Sequence, residues 1–160
     1  MASFQLVGLS PEPFAKLFAL SNRELAELNA RRVVATDRPG YPCRVSLDDA
    51  QVGEELLLLS YAHQPAGSPY KAVGPIYVRK GARQRTVEAG VVPDYVRLRL
   101  MSARAYDAAH MMIDAAVCDG AQVASEIERM FGNEDVGYIH LHNAKQGCFS
   151  CRVDRVQRSA

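Results

Sequence analysis

A chain of 160 residues, 48% hydrophobic and 23% charged, can bury one sizeable core and is too short to expect two, so one domain over 1–160 is the expectation. A net charge of +1 argues against a dedicated nucleic-acid binder, which needs a basic excess to displace counterions. The start MASFQLVGLSPEPF lacks a basic region followed by an apolar run, and no stretch is apolar for long enough to span a bilayer; a cytoplasmic protein with no membrane contact is expected.

Helical signals come first. Ser10-Pro11 reads as a cap and first turn ahead of Phe14, Leu17 and Phe18, and Ser21 with Glu24 reads as a capping box ahead of Leu25 and Leu28. Two short helices are predicted within 11–30. The period then changes to two. EELLLLSY (54–61) suits a strand covered on both faces, and VRLRL (96–100) alternates with Val96, Leu98 and Leu100 inward. PIYV (75–78), HMMIDAAV (110–117), GYIHLH (137–142) and CFSCRV (148–153) are further strands, with CRVSL (43–47) weaker. Between them, Asp119 through Val123, Ile127, Met130 and Phe131 to Gly132 predicts one amphipathic helix with glycine as its C-terminal cap. Helices and strands do not alternate as a doubly wound fold requires. The predicted class is α+β: a mainly antiparallel sheet or partly closed barrel with an N-terminal helix pair and one later helix, ending in a β-hairpin.

Four cysteines (43, 118, 148, 151), without a secretion signal, read as free thiols. The hairpin VGYIHLHNAKQGCFSCRVDR holds two of them and two histidines. A register that closes the loop NAKQG sets His142 opposite Cys148. Parity then puts Ile139, Leu141, Phe149, Cys151 and Val153 on one face, and Tyr138, His140, His142, Cys148, Ser150 and Arg152 on the other. Because Cys148 and Cys151 diverge, a closed four-ligand zinc site is disfavoured. An open site of His140, His142 and Cys148 fits the parity better but lacks a carboxylate neighbour, and the expectation is no metal and no cofactor. A Cys148–His142 pair, oriented by Asn143 or Asp154, is the catalytic reading. A purely structural hairpin is the plain alternative.

The segments RPGYPCRVSLDDA, SYAHQPAGSPYKAVGPIYVR, RLMSARAYDAAHMM and HLHNAKQGCFSCRVDR together resemble a bacterial family catalogued as domain of unknown function 1203, across nearly the whole chain. The family carries no established activity, so whether there is a reaction is left open. Its pattern more often holds arginine where this chain has Lys71 and alanine where it has Cys151. His63, Tyr70, Lys71, Arg79, Arg104, Tyr106, His142, Asn143 and Cys148 fall at strand ends and loops, as ligand sites do. The expectation is a polar cleft for a small anionic molecule, with Arg79, Arg104 and His142 approaching one another. The alternatives are a non-catalytic interaction or homodimerisation module, in which Arg44 or Arg104 pairs internally with Asp49 or Asp107, and RNA binding through Arg83, Arg85, Arg97 and Arg99. The last lacks interleaved aromatics.

Overall fold

The computed structural model describes residues 3–157. Among these, ten strands form two five-stranded sheets. The first has the order β1-β10-β9-β7-β8 and is antiparallel throughout: β1 (Ser3–Val7), β7 (Leu100–Tyr106), β8 (Met112–Asp119), β9 (Tyr138–Asn143) and β10 (Phe149–Val156). The second has the order β2-β5-β6-β3-β4, from β2 (Ala30–Val34), β3 (Pro42–Cys43), β4 (Asp48–Asp49), β5 (Glu55–Gln64) and β6 (Ala72–Arg79), with a single parallel bridge between β3 and β6. The fold is α+β and mainly antiparallel, but neither sheet closes into a barrel: β1 and β8 edge one sheet, β2 and β4 the other.

Local chemistry accounts for the helices. The Ser21 hydroxyl accepts from the Glu24 amide while the Glu24 carboxylate accepts from the Ser21 amide, and this capping box opens α2 (Asn22–Glu27). The preceding α1 (Glu12–Ala15) runs straight into a 3-10 turn, Lys16–Ala19. The later helix α4 (Val123–Phe131) buries Val123, Ile127, Met130 and Phe131 on one stripe. Gly132 ends it with φ −63°, so the expected left-handed glycine cap is absent there.

Two strand predictions fail: of CRVSL (43–47) only Cys43 lies in a strand, and residues 44–47 turn. Residues 94–97 form the helical turn α3 (Asp94–Arg97), and Leu98 is 65% exposed rather than inward. Pro93 and Asp94 start the turn, and Arg99 leaves the predicted alternation to bind Asp49 and the Tyr95 carbonyl. The strand lies further on, from Leu100, in a segment whose arginine and tyrosine mask its period.

One face of the first sheet (Phe4, Leu6, Met101, Ala103, Ala105, Ile139, Leu141, Cys151, Val153) packs on α4, with Tyr95 and Val96 closing the core. A second core joins Phe14, Leu25, Leu57, Leu59, Ile76 and Val78 to Phe149, so this phenylalanine of the first sheet is packed into the second. Leu56 lies in a third cluster with Ala35 and Ala50, which covers the other face of β5 as the unbroken apolar run EELLLLSY requires.

Candidate functional site

The side of the first sheet turned away from α4 carries the polar residues. Parity along β7 gives Ser102, Arg104 and Tyr106; the ladder sets them opposite His142, His140 and Tyr138 of β9, and β10 places Arg152 opposite His140 from the other side. From the second sheet, β5 brings His63 to this face.

Three ladders slip register around it: β5/β6 between Tyr61 and Gln64, β7/β8 between Ala105 and Tyr106, and β9/β10 between Phe149 and Cys151. A bulge adds one residue and turns the following side chains to the other face. On β10 this corrects the expected hairpin. Phe149, not Cys148, stands opposite His142, and it lies with the histidines rather than with Ile139 and Leu141. Beyond the bulge, Cys151 faces Leu141 and Val153 faces Ile139 as parity foresaw.

Phe149 is the floor of the cluster. Its ring stacks on His63 at 5.5 Å and meets the edges of His140 at 5.1 Å and His142 at 5.8 Å. His63 and His142 meet edge to face at 5.1 Å. Tyr106 stacks on Tyr138 at 5.2 Å, touches the His140 ring, and is met at its far edge by Tyr70. The Tyr138 hydroxyl accepts from Gln64 Nε2 at 2.9 Å and lies 2.8 Å from His110 Nδ1.

Burial decides the charge of these groups. His140 is 3% exposed and His142 1% exposed. Burial, then the neighbouring His142 and the guanidiniums of Arg152 and Arg104, push His140 down to about 3. Burial pushes His142 down to about 4 against the opposing pull of its hydrogen bond to Gly147, and burial with Arg104 lowers His63. All three are neutral imidazoles at neutral pH. The Nδ1–H of His142 donates to the Gly147 carbonyl at 3.0 Å, which leaves its Nε2 a bare acceptor. That nitrogen is buried without a partner, as are Nδ1 of His63 and Nδ1 of His140.

Arg104 is the cation of this site that lacks a carboxylate partner, Arg152 being paired with Asp154. It is half-buried, its Nε–H donates to Ser102 Oγ at 3.3 Å, and among the described residues no carboxylate pairs with it. Asp107, the acid proposed from sequence, instead accepts from the Ala109 and Met111 amides.

The other predicted residues divide. Arg79 is elsewhere, five residues along β6 from Gly74, which faces His63; it is held by Glu54 at 2.6 and 3.1 Å and by Asp48 at 3.1 Å. Arg104 and His142 thus come together, and Arg79 does not join them. Lys71 is exposed beside Tyr70, with no side-chain partner among the described residues.

Asn143 and Cys148 border a neighbouring cleft of about 380 Å³ that also takes in Arg44, Tyr77, Arg99 and Lys145. Here Cys148 Sγ accepts from Arg44 Nη2 at 3.2 Å and Asn143 Nδ2 at 3.5 Å, so the sulfur is turned to these two and not to His142. Arg44, only 1% exposed, also donates to the carbonyls of Phe149 at 2.8 Å and Pro42 at 2.7 Å; Asp49, its expected partner, pairs with Arg99. Gln64, His110, Tyr138 and Phe149 were not foreseen as members. The signal for His110 and Tyr138 was their place beside the motif residues of ARAYD and HLH, but a phenylalanine in an apolar run announces nothing.

The four polar motifs therefore meet around the joint between the sheets. The family described as a protein of unknown function, DUF1203, matches residues 40–155, and these include β5, β7, β9 and all of β10 but Val156. The chain belongs to the DUF1203 family. No curated protein and no solved structure matches it at a significant level. The DUF1203 match also takes in His63, Arg104, Tyr106, His140, His142 and Cys148, while the helices α1 and α2 and the edge strands β1 and β2 precede it.

Proposed function

We propose that this DUF1203 chain binds a small anionic molecule, a carboxylate or phosphate, at the joint between its sheets, with Arg104 as the principal counter-charge. The observation that carries this reading is the isolation of Arg104: a half-buried guanidinium with one hydroxyl partner and, among the described residues, no carboxylate, surrounded by imidazoles that are neutral. Guanidinium left unpaired in a partly dry setting costs free energy, and a bidentate anion recovers it. His63, Tyr70 and Tyr106 then frame the ligand with their ring edges.

A thermal-shift panel of small carboxylates and phosphates tests it. A ligand at one hundred times its dissociation constant adds about 2.7 kcal/mol, which corresponds to roughly 5–11 °C for a chain of this size. Arg104→Gln should abolish that shift while the unliganded melting temperature stays near wild type. A panel that moves nothing, or a shift undiminished in the variant, overturns the reading.

A second reading is favoured by the neighbouring cleft. There Cys148 serves as a nucleophile oriented by Arg44 and Asn143, with Lys145 at the rim to receive an anion. It predicts that Cys148→Ser abolishes turnover of a ligand that still binds and that Arg104→Gln leaves binding intact, whereas the Arg104 reading predicts that Arg104→Gln loses binding.

A further inference from the structure

We propose that His63, His140 and His142 bind one divalent first-row transition-metal ion. This goes beyond the anion reading and does not depend on it.

The geometry is that of a metal triad. One ligand nitrogen from each histidine lies within 4.8 Å of the other two. Three imidazoles around a tetrahedral zinc, each bound at about 2.0–2.1 Å, bring their nitrogens to about 3.3 Å from one another, so small rotations of the rings complete the site. Each histidine has one buried nitrogen without a partner, and in His142 and His140 the residue is almost fully buried. A buried polar atom is nearly always satisfied, and each histidine of this triad carries one that lacks a protein partner. His142 is already set for the task. Its Nδ1–H is fixed on the Gly147 carbonyl, the outer hydrogen bond that selects the tautomer and aims Nε2 inward.

The backbone is shaped to bring the triad together. His140 and His142 alternate on β9, so both rings leave the same face, and the irregularity after Tyr61 on β5 aims His63 at them from the other sheet. Sequence parity counted ligands on one hairpin and therefore expected no metal; the third imidazole comes from a strand some eighty residues earlier. Cys148, the thiol considered for that place, is turned to Arg44 and Asn143 instead.

Three neutral nitrogen donors suit zinc, iron, nickel or copper rather than magnesium or calcium, which take oxygen. Three protein ligands also leave a coordination position open, the arrangement of sites that bind a water or a ligand on the metal. Arg104 stands directly across the ladder from His140. An anion on the open position would meet both positive charges, the metal ion and the Arg104 guanidinium.

The test uses untagged full-length protein stripped with a chelator and titrated with cobalt(II), read by its visible absorption, and with zinc(II), read by calorimetry. One equivalent should bind per chain. His63→Ala, at the half-exposed rim, should weaken binding more than ~100-fold, beyond what an outer hydrogen bond alone is worth, while the metal-free variant keeps the circular dichroism of metal-free wild type. If the alanine variant does not fold, His63→Gln replaces it, with the same loss expected. No saturable one-to-one binding, or equal affinity in the folded variant, overturns the proposal. Repeating the anion panel in excess chelator separates the two readings. A flat metal titration with an Arg104-dependent anion shift sinks the metal site alone, and a metal titration that saturates with no anion shift sinks the anion reading alone.

Discussion

Arg44 offers the sharpest test of how the two sheets are joined. It lies in the loop after β3, and its guanidinium reaches across 105 residues to the Phe149 carbonyl on β10 while also holding the Pro42 carbonyl and Cys148. Hydrogen bonds to a charged donor are worth about 1.5–3 kcal/mol each, and three of them outweigh the several kcal/mol it costs to keep one guanidinium out of water. Arg44→Met keeps much of the apolar stem and removes the fork. It returns the desolvation cost but leaves two buried carbonyls without this donor, each worth about 1–3 kcal/mol. The net expectation is a loss of about 3 kcal/mol, or roughly 6–12 °C in melting temperature at this chain length. Arg44→Lys should recover only part of it, because one ammonium on a flexible stem cannot meet three acceptors in a plane. Urea denaturation of the three proteins gives the free energies, and alkylation of Cys148 gives a local readout, faster in Arg44→Met because the sulfur has lost its cover. A methionine variant within 1 kcal/mol of wild type, with unchanged labelling, would refute the account of Arg44 as the clamp between the sheets.

Three further outcomes follow from burial. Cys148 borders a cleft and Cys151 is 1% exposed, so mass-mapped alkylation of the native protein should label Cys148 well before Cys151; equal rates would contradict the register found on β10. Burial pushes the Cys151 thiol up to about 12, above its unfolded value of about 8.5, so its contribution to stability is whole below pH ~8.5 and is lost as pH rises toward 12. At pH 10 the loss amounts to about 2 kcal/mol, and Cys151→Ala should flatten that part of the alkaline stability profile; an unchanged slope in chemical denaturation between pH 8 and 10 would count against it. Gly120 has no room for a methyl group, since a Cβ there would lie 2.1 Å from the Val96 carbonyl oxygen and 2.7 Å from two backbone atoms of Arg97. Gly120→Ala should therefore cost about 3 kcal/mol or prevent folding, and a melting temperature within a few degrees of wild type would show that α3 can move aside.

Much of the local structure was legible in the sequence because it rests on neighbours in the chain. The Ser21 capping box, the α4 stripe, the doubly covered β5 and the inward Cys151 each follow from spacings of two to four residues, and each is present. The polar residues at strand ends were also visible as a set, and His63, Arg104, Tyr106 and His142 do converge. What sequence could not determine was which of them would meet. A single extra residue at Ser150 carried Phe149 to the histidine face, and periodicity has no term for a bulge. Arg79 and Arg104 look alike in the chain, yet Glu54 and Asp48 satisfy the first while no carboxylate among the described residues pairs with the second. Only the docking of β5 against β9 and β10 brings His63 to His140 and His142, because imidazoles far apart in the chain are made neighbours by the burial of Phe149 between the sheets, and that burial depends on the whole fold.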